Sequence, residues 1–411
     1  MPGPLSHLTV LDLSRVLAGP WCTQLLADLG ADVIKIEKPG GGDDTRRWGP
    51  PFLKDTAGRD TAESAYYLGC NRGKQSVAVD FTSPDGRRIV RDLCKQADIV
   101  VENFKVGALT RYGLDYAALA AINPPLVYCS ITGFGQTGPY AERAGYDFII
   151  QGIGGFMSVT GERDDLPGGG PQKAGVAIAD LMTGMYAATA ILAAIAHRAV
   201  SGVGQHIDAA LLDTQVAMMA SLDMNYLVTG TAPGRAGNAH QNIVPYQVFD
   251  CADALLILAI GNDGQFARFC EVAGTSAWLD DPRFARNSER VRHRDFVVPS
   301  IAKVMRGRTQ RDWLASLETA GVPCGPINGI DEVFADPQVV ARGMRVDMPH
   351  PLAGTVPQVA NPLKFSATPV AYTRSPPLLG EHTRDVLAER LGLADAALLE
   401  LAARRVIEMR S

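Results

Sequence analysis

The chain has 411 residues, more than a single hydrophobic core usually serves, which predicts two domains. At 46% apolar and 20% charged, with 42 glycines, its composition is that of a soluble globular protein with many loops. A net charge of -5 argues against a nucleic-acid or membrane-surface partner, because both need a basic face that releases counterions.

The apolar run LTVLDL (8–13) reads as a buried strand, Gly19-Pro20 opens a helix through Leu29, and Asp32 to Ile36 reads as a second strand. That βαβ alternation continues with QSVAVDF (75–81), a helix from Ser83 to Lys95, DIVVENF (98–104), a short helix near Leu109 and LVYCSITG (126–133). The fold class predicted is α/β, with an open, mostly parallel, Rossmann-like sheet. Ligands of such sheets bind at the carboxyl ends of the strands, here the loops Ser14–Ala18, Lys38–Asp43, Glu102–Lys105 and Gly133–Gly138.

An Ala-rich helix between Met182 and Ala199, broken only by Gly184, reads as buried, its apolar stretch being too short to cross a bilayer. A Gly/Pro/Thr-rich link at 227–237 predicts a boundary, giving a large domain at 1–226 and a smaller α+β domain at 227–330. In the latter, ALLILAIG (254–261) reads as a strand and DDPRFARNSERVRHR as a solvated helix start. Residues 331–411, with an amphipathic helix from Asp385, are expected to return to the large domain. Seven cysteines without a CxxC pair predict neither a disulfide framework nor a zinc site, and Met1 leads almost directly into the first strand. A cytoplasmic protein without a bound metal is expected.

After the first strand the chain reads SRVLAGPW instead of GxGxxG, which argues against a nicotinamide cofactor. Arg15, Lys38, Arg46, Arg47, Arg72, Lys74 and Arg111 fall in loops or at helix ends, where a ligand carrying phosphates would find cations. Asp180, in GVAIADLMTGMYAATAILAA, is expected at or next to the N-cap of a helix starting at Leu181. A carboxylate at the positive end of a helix is expected to stay ionised, and in an apolar pocket it can attack a thioester. Cys324 in VPCGPIN reads as an ordinary buried thiol.

Over nearly its whole length the chain resembles the family III (CaiB/BaiF) CoA-transferases. The resemblance is carried by LDLSRVLAGPWCTQLLADLGADVIKIEKPGGGDDTR, CNRGKQSVAVDF, VENFKVGALTRYGL, SITGFGQTGPY, AGYDFIIQG and GVAIADLMTGMYA, and later by DDPRFARNSERVRHR, GVPCGPIN and PPLLGEHT. It implies that Asp180 is the nucleophile. It implies contacts to coenzyme A from Arg15, Val16, Leu17, Ala18, Lys38, Asn71, Arg72, Asn103, Phe104 and Arg111, and places Tyr146 and Asp147 near the reacting thioester. No permanently bound cofactor is implied, and interlinked ring-shaped protomers in a homodimer are.

The family's mobile glycine lid is matched only loosely, by GRAGNAHQNIVPY (234–246). DDTRRWGPPF, YCSITGFGQTGP, IVPYQVF and GNDGQFA resemble the dicarboxylate transferases of succinate–hydroxymethylglutarate type. The far carboxylate of such an acid would need a cation or donor, for which Arg46, Arg47, Arg143 and His240 are candidates. Two rivals are a 2-methylacyl-CoA racemase of the same superfamily and a CoA-binding protein without turnover. Racemases of that type place a histidine where this chain has Gly145-Tyr146-Asp147, and tyrosine is a poor base at neutral pH.

Overall fold

The computed structural model describes residues 3–410. Contacts divide them into two compact units. The first comprises the chain up to Phe156, Ala174–Met224 and the residues from Gln338 on; the second comprises Met157–Lys173 and Asn225–Pro337.

The first unit is built on a seven-stranded sheet. Six strands are parallel, in the spatial order Lys74–Val79, Asp32–Glu37, Thr9–Asp12, Ile99–Glu102, Val127–Thr132, Gln205–Ala210. In chain order that is 3-2-1-4-5-6, the doubly wound arrangement. Ile407–Glu408 adds an antiparallel edge strand beside Lys74–Val79. Because successive side chains alternate across a strand, these near-continuous apolar runs feed both faces. Leu11, Ile34 and Val100 pack against helices Pro84–Cys94, Thr383–Leu391 and Asp395–Ala403 on one side, and Val10, Val33, Ile99 and Val127 against helices Ala18–Asp28 and Ile178–Ser201 on the other.

Helix Ile178–Ser201 has 24 residues, and by length and composition alone could cross a membrane. It was expected to be buried; only one face is, through Ala187, Ile191 and Ala194 packed in the core, while Met185 and Tyr186 are exposed.

In the second unit, Tyr246–Asp250, Leu255–Ala259 and Cys324–Pro326 form an antiparallel sheet packed on a core that includes Phe266, Phe269, Phe284 and Trp313. Segment 157–173 groups with this unit, although the sequence placed it in the first, because Gly161 and Glu162 accept hydrogen bonds from Gly237 and Arg235. The run expected to be a solvated helix start is two short helices, Pro282–Ala285 and Asn287–Arg292. Its Arg290 is wholly buried, donating to the Val244 and Phe284 carbonyls and to Asp263.

Candidate active site

Strand order reverses between Thr9–Asp12 and Ile99–Glu102, and the chain leaving their carboxyl ends walls a cavity of about 440 Å³. Arg15, Val16, Leu17 and Ala18 line one side, Asn103 and Phe104 another; Arg143, Tyr146 and Asp180 also face it.

The first wall is held by charge and strain. Val16 adopts φ 71°, a conformation that a β-branched residue rarely takes. Its N–H donates to both Asp43 oxygens (3.2 and 3.3 Å), and the Asn103 amide clamps the Arg15 backbone at both ends (2.8 and 2.6 Å). Asp43 is itself paired with fully buried Lys35 at 3.0 Å. Burial pushes Asp12 up, but Lys74, Lys35 and hydrogen bonds from Ser14 and Thr23 together outweigh it and hold the carboxyl at about 2.

Asp180 lies inside the first turn of its helix. The helix starts at Ile178, not Leu181, and Ala177 at its N-cap makes no side-chain capping bond. The capping task falls to Asp147, one residue after Tyr146: its Oδ1 accepts from the N–H groups of Ala179 (2.8 Å) and Asp180 (3.4 Å). Its Oδ2 accepts from Gln151 Nε2 at 2.6 Å, and Gln151 Oε1 accepts from the Ala174 N–H at 2.8 Å. With its backbone fixed by this strut, the Asp180 side chain is left to the cavity. Burial, then the Asp147 charge, push its carboxyl up to about 7, so the expectation of a carboxylate held firmly ionised by the helix end is not met.

Three glycines explain how these segments meet. A Cβ on Gly184 would lie 2.6 Å from the Ala18 carbonyl oxygen, so glycine lets helices Ala18–Asp28 and Ile178–Ser201 approach beside the cavity. A Cβ on Gly133 or Gly145 would lie 2.5 Å from the other's Cα, which seats the Arg143–Tyr146 loop on the end of strand Val127–Thr132.

A second cavity, of about 490 Å³, adjoins the first through Arg15, Asp44 and Phe104 and reaches Lys38, Phe81 and Thr82. Trp48, which the sequence did not single out, and Lys105, at the end of the expected loop Glu102–Lys105, also line the first cavity. Tyr66 stands edge-on to Trp48 at 5.2 Å, and burial followed by the Asp180 charge raises its hydroxyl to about 12. Trp48 falls within DDTRRWGPPF; Tyr66 carried no signal.

Other expected site residues lie elsewhere. Arg46 is buried and spent on Glu37, Glu63 and Tyr67; Arg72 is buried against Asp28; Asn71, wholly buried, binds Lys74 and the Tyr67 carbonyl. None of the three lines either cavity. Arg47 donates to the Gly40 carbonyl, and Arg111 lies over the Tyr112 ring at 4.7 Å, both outside the two cavities. His240 belongs to the second unit, edge-on to Tyr246.

The family model described as CoA-transferase family III matches residues 5–383. The chain belongs to this family. It is 55% identical over 386 residues to the succinate–glutarate CoA-transferase of Agrobacterium fabrum, covering 94% of this chain and 95% of that one. It is 41% identical over 405 residues to the succinyl-CoA:glutarate CoA-transferase of Homo sapiens, covering 98% and 90%. Among solved structures, a CAIB/BAIF family protein from Brucella suis superposes with a TM-score of 0.83 at 50% identity, over 95% of this chain and all of that one. This protein is thus a CoA-transferase, and the racemase reading falls away. Among the described residues lining this cavity, Asp180 and Asp44 are the two carboxylates, and Asp44 is paired with Arg15 at 2.9 Å.

Proposed function

We propose that the protein moves coenzyme A from succinyl-CoA to glutarate or a dicarboxylic acid of similar size, with Asp180 as the covalent carrier. The observation that carries this reading is a carboxylate without a counter-charge among the described residues, set by the Asp147 strut in the wall of a cavity beside the helix start at Ala18. Its support in substrate comes from relatives named for succinate and glutarate.

The Asp180 carboxylate attacks the thioester carbonyl of succinyl-CoA, forming a mixed anhydride and releasing CoA thiolate. The thiolate attacks the aspartyl carbonyl, succinate leaves, and an aspartyl-CoA thioester remains. The incoming carboxylate attacks that thioester to give a new anhydride, and the thiolate takes the new acyl group, restoring Asp180. One thioester replaces another, so the work lies in stabilising oxyanions and keeping water out. The first turn of helix Ala18–Asp28, which has no side-chain cap at Leu17, offers N–H donors at the cavity wall.

In this reading the acyl end of the CoA thioester occupies the cavity at Asp180, and the phosphate-bearing end the adjoining one, where Lys38 supplies a cation. Asn103 acts through the Arg15 backbone that it clamps. We further read the protein as a cytoplasmic homodimer of interlinked protomers, as the family resemblance implies.

The test is to mix the purified protein with succinyl-CoA and a panel of mono- and dicarboxylic acids, and to follow acyl-CoA products by mass spectrometry. Glutaryl-CoA should appear, and a CoA adduct should map to the peptide holding Asp180. Asp180→Ala should lose transfer by at least about 1,000-fold. Full activity in that variant would overturn the assignment.

A further inference from the structure

Asp180 explains the covalent step but not how the site tells one acid from another. Three cations line its cavity, Arg15, Lys105 and Arg143. Arg15 is committed: its guanidinium pairs with Asp44 at 2.9 Å, and its backbone is held by Asn103. Lys105 sits on the loop after strand Ile99–Glu102 and also lines a separate pocket with Glu102 and Tyr116.

Arg143 differs from both. It lies on the loop that leads to Tyr146 and into the helix opened by Asp147, the residue that caps the helix of Asp180. Its guanidinium lies 4.4 Å from the Tyr140 ring centre and 5.2 Å from that of Phe134. Placed over two rings that stand edge-on to each other, with no carboxylate among the described residues within ion-pair distance, the planar group keeps N–H donors for a ligand.

We propose that Arg143 is the residue that reads the far carboxylate of a dicarboxylic acid whose near carboxylate reacts at Asp180. This rests on the transferase mechanism above and adds the residue by which the site selects short, doubly charged acids over monoacids of equal length. A bidentate guanidinium–carboxylate pair fits the free donor edge, and the aromatic seat holds it at low entropic cost. Arg46, Arg47 and His240, the other candidates for this task, do not line the cavity.

The experiment compares kcat/KM for glutarate and for valerate, a monoacid of the same carbon count, with succinyl-CoA as donor, in the wild type, Arg143→Met and Arg143→Lys. The wild type should prefer glutarate. Arg143→Met should lose about 100-fold in that preference, and Arg143→Lys should recover part of it, while inhibition by free coenzyme A, which has no acyl carboxylate, stays within about twofold. If Arg143→Met weakens both acids equally, or weakens the binding of free coenzyme A instead, Arg143 holds coenzyme A and the proposal is overturned. A wild-type protein that passes CoA to neither acid sinks the transferase substrate reading itself, a different result from an intact preference in the variant.

Discussion

The Asp180 carboxyl is expensive to keep charged, and that cost is measurable. In the folded chain burial and Asp147 raise it to about 7, whereas in the unfolded chain it titrates near about 4. The folded state therefore keeps a proton that the unfolded state has released between those values, and stability declines as pH rises through the window. Above about pH 7 the penalty is complete; discounted for partial exposure, we expect it to be about 1–2 kcal/mol. Asp180→Asn should accordingly melt above the wild type at pH 8, with a margin that shrinks toward pH 5; an equal margin at both would contradict the burial account. The same titration should govern activity, since only the ionised form attacks. kcat/KM should rise with pH and level off above a midpoint near about 7. At this scale the sequence was legible in bringing Asp180, Arg15 and Tyr146 together, since their neighbours form distinctive runs and all three line one cavity. It was not legible for Arg46, Asn71 and Arg72. A cation that faces a ligand and one that faces a buried carboxylate look alike until the partners Glu37, Glu63 and Asp28 fold against them.

Between elements, close approach decides. Gly184 showed in the sequence as a break in an apolar helix, but its reason is the Ala18 carbonyl on another helix, over 160 residues earlier in the chain. Gly184→Ala would push that backbone aside by a few tenths of an ångström or more, moving the uncapped turn at Ala18 relative to Asp180. We expect helical content to stay intact by circular dichroism while kcat/KM falls about 10- to 100-fold. Unchanged kinetics would mean that the turn at Ala18 takes no part in the reaction. The strands were legible because parallel strands buried on both faces are almost uninterrupted runs of Val, Ile and Leu. The helix start at Ile178 was misplaced because its cap is supplied from Asp147, on a different helix, and no local pattern announces a cap that arrives through space.

For the molecule as a whole, the apolar groups left in solvent bear on assembly. Phe148 is 57% exposed, Ile149 and Ile153 46%, and Tyr186 49%. Together with the family resemblance, they lead us to expect a dimer. Light scattering should give twice the 43.8 kDa of one chain, and a monomer at micromolar concentration would count against interlinked protomers. The Gly/Pro/Thr-rich link at 227–237 falls a few residues after the change of unit at Met224, while segment 157–173 gave no signal, because hydrogen bonds to Arg235 and Gly237 assign it rather than any composition of its own.

The chain passes between its two units after Phe156, Lys173, Met224 and Pro337, and the stretch that returns at Ala174 leads straight into Asp180. Neither unit can therefore be expressed as one uninterrupted segment. Recombination with a relative has to respect the same seams: a single breakpoint cannot exchange one unit and leave the other native, so shuffled genes need paired crossovers placed on either side of the inserted stretches.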